Sequence, residues 1–221
     1  VTMLCMGPPQ AEDALRKCIS FGATDAILVT DRAFAGADTL ATSYALAAAI
    51  RKIGQEQAVD LVFTGKQTID GDTAQVGLGI NLLTYVSRIV ELDLDGRRLR
   101  VERRAEGGVQ LLETTLPSLI TMLEGTNEMR FATMDDMLRA GRCPVRKWSK
   151  DDAGIEDVSK IGLKGSPTIV SKVFGPTPRS QKADLMTVAD SNVNDVCLNL
   201  LQKIFTTHPT LEEETVERLS A

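Results

Sequence analysis

The stretch GKQTIDGDTAQVG, Gly65 to Gly77, gathers three glycines, two aspartates and two threonines into thirteen residues. A lysine follows the first glycine, as in a phosphate loop. The pattern G-x-x-x-x-G-K-[ST] nevertheless fails, because Gln67 follows Lys66 and no glycine stands five positions before Gly65. The dinucleotide fingerprint G-x-G-x-x-G is absent as well. Two readings remain open on the residues alone. One is a polar connection whose aspartates cap the next helix. The other is an anion cradle in which Gly65 turns the chain off a buried strand and Gly71 allows close backbone approach. Thr73, Ala74, Gln75 and Val76 would then offer the free N–H groups of a helix start. Asp70 and Asp72 would orient such a loop or bind a ribose, since beside a phosphate they would repel it.

A second small-residue loop, TDRAFAGADT, runs from Thr30 to Thr39 and enters a helix at Ala37, Asp38 and Thr39. Two such loops at neighbouring strand ends favour one elongated nucleotide lying between them. Other chemistries are poorly supplied. His208 is the only histidine and lies in a polar tail, which argues against a zinc site and against Ser-His-Asp or Cys-His catalysis. Cys5, Cys18, Cys143 and Cys197 stand far apart, as core fillers kept reduced in a cytoplasmic setting would. The arginines Arg97, Arg98, Arg100, Arg103 and Arg104 alternate with acids on a strand, and a solvated face is the expected reading over an anion site. A net charge of −5 opposes nucleic-acid binding. No apolar run reaches the roughly 18 residues of a membrane span, so no membrane insertion is expected.

The elements that must position these loops alternate between strand and helix. VTMLCM is a buried strand closed by GPP, with no initiator methionine before it, so upstream sequence is expected to be missing. Ala11, Ala14, Leu15, Cys18 and Ile19 have helical spacing, and that helix should stop at Gly22. DAILVT is a second strand. An alanine-rich helix follows, capped by Asp38 or Thr39 and expected to end at Gly54. DLVFTG is a third strand running into the first loop, and a helix carrying Val76, Ile80, Leu82 and Leu83 is expected to reach about Ser87. This rhythm predicts an α/β fold with a Rossmann-like parallel sheet and helices on both faces. Asp95-Gly96 and Gly107-Gly108 then mark hairpins, with Leu92, Leu94, Leu99 and Val101 on the buried side of an antiparallel extension. PSLITML is another buried strand, and TMDDMLRAG a short helix capped by Thr133. Residues 148–221 have little period until a last helix at about Val193 to Phe205, and they read as an arm laid over another protein. Its anchors would be Ile161, Leu163, Ile169, Val170, Val173 and Phe174. The expected division is 1–147 as the nucleotide-binding domain and 148–221 as arm and helix.

Taken together, MGPPQAEDALRKCISFGATDAILVTDRAFAGADTLATS, GKQTIDGDTAQVG, RRAEGGVQLLETTLPSLITMLEGTNEMRFATMDDMLRA and IGLKGSPTIVSKVF resemble the β subunit of electron transfer flavoprotein over nearly the whole chain. The third segment is similar to the family's signature region. The resemblance implies a heterodimer with a larger α subunit, which the C-terminal arm embraces. It also implies a nucleotide at Gly65 to Val76, helped by Met6. The spellings DGDTAQVG, DRAFAGADT and GLKGSPT resemble the flavin-bifurcating type, in which the β subunit carries FAD. NADH would then deliver electrons, one passing to ferredoxin or flavodoxin and the other through the α-subunit flavin to an acyl-CoA dehydrogenase. The cofactor-binding residues implied are Met6; Asp31, Ala35, Gly36, Ala37, Asp38 and Thr39; and Gly65, Lys66, Gln67, Thr68, Ile69, Asp70, Gly71, Asp72, Thr73, Ala74, Gln75 and Val76. No side chain is expected to be catalytic, because the flavin carries the chemistry. Docking on the dehydrogenase is implied at about Gly154 to Pro167, with Val158, Ile161 and Leu163 as candidates. The family begins with a further strand and helix that this chain is expected to lack. Two rivals stand beside this reading: a non-bifurcating carrier with structural AMP, and an adenine-nucleotide module of the universal-stress type without redox chemistry.

Overall fold

A computed structural model describes residues 1–69, 71–80, 85–177, 185–188, 192–211, 215 and 218 of the 221. Its contacts divide the chain into two compact units, Val1–Lys172 and Val173–Ala221. Unit 1 opens with β1 (Thr2–Met6), α1 (Glu12–Ser20), β2 (Asp25–Val29), α2 (Thr39–Glu56), β3 (Leu61–Gly65) and α3 (Val76–Ile80). There follow β4 (Val86–Asp93), β5 (Arg98–Ala105), β6 (Gly108–Thr115), β7 (Ser118–Met122), α4 (Met134–Arg142) and β8 (Arg146–Trp148). Among the described residues of unit 2 the regular element is α5 (Val193–Thr207), whose Val193, Leu198, Leu200 and Leu201 are exposed.

The α/β class is as the sequence predicts, but the expected single sheet is two. β1, β2 and β8 form a parallel sheet in the order β1-β2-β8. The other five strands run β3-β7-β4-β5-β6, parallel from β3 to β4 and antiparallel beyond. Core clusters lie on both faces of the first sheet, which is why β1 and β2 read as continuous apolar runs. Ile27 and Val29 join Leu4 and Met6 on one face, against Phe34, Ala45, Ala49, Ile53 and Trp148. Ala26 and Leu28 join Met3 and Cys5 on the other, against Leu15, Ile19 and Ala140. Burial, with Cys18 nearby, pushes the Cys5 thiol up, so it stays a neutral filler.

α1 and α4 lie together on that second face and close each other's ends. Arg16 of α1 donates to the carbonyls of Ala140 and Cys143 at 2.9 and 3.2 Å. Arg139 of α4 donates to those of Ala23 and Ile19 at 3.0 and 2.5 Å. Carbonyls left over at helix ends thus receive fixed positive charge. At its start α4 has a full capping box, Thr133 with Asp136. Arg130 and the Thr133 donors hold the Asp136 carboxyl well below the usual carboxylate range.

Four sequence expectations are corrected here. α2 continues through Gly54 to Glu56, because Ile53 is buried in the core and the Gln57 N–H closes on its carbonyl at 2.9 Å. The helix expected to reach Ser87 gives way to strand by Val86, which is fully buried beside Leu99, Val101 and Ile120; Leu82 and Leu83 lie outside the described residues. Leu99 and Val101 are buried but Leu92 and Leu94 are exposed, Leu92 lying next to the end of β4 and Leu94 in the turn beyond it. Residues 149–168, read as arm, pack in unit 1, with Ala153 and Ile161 in its core. Three of the five clustered arginines meet neighbouring acids, Arg97 with Asp60, Arg98 with Asp93 and Arg100 with Glu91, at 3.0 to 3.2 Å, and Arg103 donates to Gln110. Among the described residues, no helix is long and apolar enough to cross a membrane.

The two packing modes make different demands. Leu28→Ala, at a side chain with no exposure, is expected to cost about 3 kcal/mol in denaturant unfolding. Thr133→Ala, which removes one cap, should cost about 1 kcal/mol.

Candidate functional site

The loop after β2 begins at Asp31, whose carboxylate accepts the N–H of Ala33 at 2.9 Å and of Lys150 at 3.1 Å. A short turn over Arg32–Phe34 buries Phe34, and Gly36 follows at φ +72°. Asp38 then caps α2, one carboxylate oxygen accepting the N–H groups of Leu40 and Ala41, each at 3.0 Å. The choice left open between Asp38 and Thr39 falls on Asp38. Its other oxygen accepts the N–H and hydroxyl of Thr168 at 3.1 and 2.9 Å. Chiefly the Ala41 N–H holds the Asp38 carboxyl low, with Thr168 and Leu40 assisting against its partial desolvation. Asp31 is likewise held low, first by Ala33 and then by Lys150. Both carboxylates therefore shape loops.

The loop after β3 is exposed from Lys66 to Ile69 and from Gly71 to Thr73, and Asp70 lies outside the described residues. The sharp turn expected at Gly65 is not there, because Gly65 is the last residue of β3. Left-handed backbone occurs instead at Asp72 (φ +46°) and Ala74 (φ +54°). Aspartate tolerates that region and alanine does so under strain. Thr68 draws the loop back on itself, its hydroxyl accepting the Gly71 N–H at 3.2 Å and its carbonyl the Asp72 N–H at 3.1 Å. The Gln67 amide donates to the Asp72 carboxylate. Among the described residues, no hydrogen bond engages the N–H groups of Thr73, Ala74 and Gln75, which lead into α3 at Val76. Lys66 has its ammonium 6.0 Å from the Tyr85 ring centroid.

The two loops meet. Thr39 donates its hydroxyl to the Gln75 side-chain oxygen at 2.8 Å, and one turn on the Ser43 hydroxyl is shared between the Thr39 carbonyl at 2.6 Å and the Val76 carbonyl at 3.1 Å. α3 can approach so closely because Gly79 faces Ser43 and Gly77 faces Thr64 and Thr121, where a Cβ would sit within 2.4 to 2.7 Å of them. Of the expected cofactor residues, Thr39, Gln75 and Val76 are thus brought together, with Ala37 and Asp38 preceding them on the chain. Ala35 and Gly36 lie under a neighbouring strap, Ile69 points wholly into solvent, and Met6 packs against the core. A cavity of about 310 Å³ lies between α2 and β3, lined by Ala47, Ile50, Val62, Ile80 and Leu119 among others, and no residue of either candidate loop lines it.

The strap is what sequence reasoning missed. Residues 161–168 fold over the 31–38 loop: Ser166 accepts the Asp38 N–H at 2.8 Å and donates to the Gly162 carbonyl at 2.6 Å. Gly162, at φ +55°, lies where a Cβ would fall 2.2 Å from the Ala33 carbonyl. The signal was GLKGSPT, whose glycines and hydroxyls announce tight backbone contact. Of the three docking candidates, Ile161 is 2% exposed and belongs to the core, which corrects its assignment, whereas Val158 and Leu163 are 47% and 56% exposed. Among the described residues no cluster of three or more His, Cys, Asp or Glu is placed to hold a metal.

Residues 1–153 match the family model of the electron transfer flavoprotein domain. Protein FixA of Azotobacter vinelandii is 63% identical over 99% of this chain and 80% of its own length. The electron transfer flavoprotein subunit beta of Clostridium acetobutylicum is 43% identical over 78% of this chain and 66% of its own. Subunit CarD of the caffeyl-CoA reductase-Etf complex of Acetobacterium woodii is 38% identical over 94% and 78%.

Depressed carboxylates give stability that is full above their unfolded value and is lost as pH falls through the lower folded value. Hydrogen exchange of residues 162–168 is therefore expected to be independent of pH between about 7 and 5, after correction for intrinsic rates. It should lose protection only below about pH 4, the unfolded aspartate range. Asp38→Asn, which keeps the shape and removes the charge, should loosen the strap already at neutral pH.

Proposed function

The chain belongs to the electron transfer flavoprotein family as a β-like subunit, and on that premise we propose that it binds FAD across residues 31–39 and 65–76. The observation carrying the reading is the junction of the two loops at Thr39 and Gln75, beside three unengaged backbone N–H groups at 73–75. Such groups suit a phosphate without any lysine. The residues present fit a nucleotide held through backbone: Thr73, Ala74 and Gln75 face its phosphates, and Asp31 and Asp38 set the loop that flanks it. The Asp72 carboxylate is held by the Gln67 amide. Met6, Ala35, Gly36, Ala37 and the remaining loop residues bound the site by position.

β subunits of this family work with an α subunit, and residues 173–221, which follow the first compact unit, are assigned to that contact. When bound, FAD supplies hydride acceptance from NADH and electron release one at a time, which is what bifurcation requires. The acceptors in this reading are ferredoxin or flavodoxin and, through the α-subunit flavin, an acyl-CoA dehydrogenase, all in the cytoplasm. Support for bifurcation is the spelling DGDTAQVG. Support for a CoA-thioester partner is the name of the Acetobacterium woodii relative, a subunit of a caffeyl-CoA reductase complex. Val158 and Leu163 are the surface residues offered for docking.

Acid extraction of the purified heterodimer should yield two flavins per dimer and no AMP. One flavin with AMP present would sink the FAD reading in favour of the non-bifurcating carrier. A colourless chain that never copurifies with a flavoprotein would return it to the universal-stress type. Ala74→Pro, which removes a donor at a φ that proline cannot adopt, should weaken β-site FAD binding at least about tenfold while leaving α-subunit flavin in place.

A further inference from the structure

The strap and the 31–39 loop share one carboxylate. Asp38 gives one oxygen to the start of α2 and the other to Thr168, while its own N–H is held by Ser166. Around this centre the two segments interlock. Leu163 lies over Gly36, where a Cβ would meet its branch carbons at 2.7 Å. Gly162 lies on the Ala33 carbonyl. Ser166 is buried, and its proton goes to Gly162. At the other end of the loop the Lys150 N–H reaches Asp31, and the Thr30 N–H reaches the Trp148 carbonyl at 2.8 Å. The 31–39 loop is thus bonded to the strap at its Asp38 end and to residues 148–150 at its Asp31 end.

The same loop reaches the second candidate loop through the residue next to Asp38, where Thr39 bonds Gln75. A movement of the strap at Thr168 therefore changes the cap of α2, and the cap fixes the residue that ties the two loops. We infer that Ser166 and Thr168 are positioning residues for the nucleotide site, acting through Asp38, so that nucleotide binding and strap order are linked. This rests on the nucleotide reading above. Neither residue touches the three N–H groups assigned to phosphate, so their effect is on the spacing of the two loops. Linkage is reciprocal: whatever factor strap closure adds to nucleotide affinity, the nucleotide returns as protection of the strap. Four residues beyond Thr168 the first compact unit ends, at Lys172. A pull on the segment after Lys172 therefore reaches Asp38 through a few residues of chain.

The test uses the full heterodimer with FAD as the probe. β-site FAD affinity is measured for wild type, Ser166→Ala/Thr168→Val, Thr168→Ser and Ala74→Pro, with hydrogen exchange of residues 159–172 followed with and without FAD. The double variant should bind FAD about 5-fold or more weakly, the low end of usual coupling factors, and Thr168→Ser, which keeps the hydroxyl, should retain wild-type affinity. FAD should slow exchange of the strap in wild type and lose that effect in the double variant. Wild-type FAD affinity in the double variant, with Ala74→Pro impaired, overturns the linkage and leaves the nucleotide site standing. Wild-type affinity in both overturns the site reading as well. Should exchange at β2 show that the double variant is misfolded, Thr168→Val is read in its place. It keeps the backbone bond to Asp38, and unchanged affinity and strap exchange in it count against the linkage.

Discussion

Four hydrogen-bond donors converge on the carboxylate of Asp38, two from the first turn of α2 and two from Thr168. A helix start leaves its N–H groups unpaired, and a cap satisfies some of them. Here the cap does more than end a helix, because its second oxygen belongs to a segment 130 residues further along. That sharing fixes where α2 begins relative to the strap, and α2 in turn lines both sheets. Its Ala45, Ala49 and Ile53 face the first sheet, and its Ala47 and Ile50 face β3 and β7. The entry of α2 is accordingly the point from which the distance between the two loops is set.

Close approach is the second constraint. The alanines of α2 and the hydroxyl of Ser43 leave little between α2 and α3, and Gly77 and Gly79 remove what α3 would otherwise push against them. Larger side chains there would separate Gln75 from Thr39. The loop itself is strained rather than relaxed by glycine, since Asp72 and Ala74 carry the left-handed backbone. Strain of that kind persists only where neighbouring contacts hold it, and here they are Thr68, Gln67 and the Thr39 bond.

Elements with a clear period were legible in the sequence. The apolar runs of β1 and β2, the spacing of Leu15, Cys18 and Ile19, and the Thr133 cap all stand where they were read. Misreadings came where tertiary contact outweighed a local signal. Gly54 read as a stop, but the burial of Ile53 carries the helix past it. The end of the helix after Gly77 was hidden because Val86 suits either state until its burial beside Ile120 decides. In the site, the two loops were visible by composition, but their contact was not, since Thr39 and Gln75 lie 36 residues apart. The strap was hidden for the same reason. Ile161 stands among polar neighbours in sequence and becomes core only because the 31–38 loop turns toward it.

The paired arginines at the ends of α1 and α4 also bear on the order in which the protein is made. Both bonds from Arg139 reach back about 120 residues, to Ala23 and Ile19. β8 pairs with β2 across a similar interval. The other sheet is drawn entirely from Leu61 to Met122, which is contiguous chain lying between those partners. On a ribosome, that contiguous sheet has all its strands while β2 still has an open edge and α1 still has unmatched carbonyls. Segments near in sequence close first and distant ones late. The β1–α1–β2 segment is therefore completed only after the sheet that follows it in sequence has all its strands.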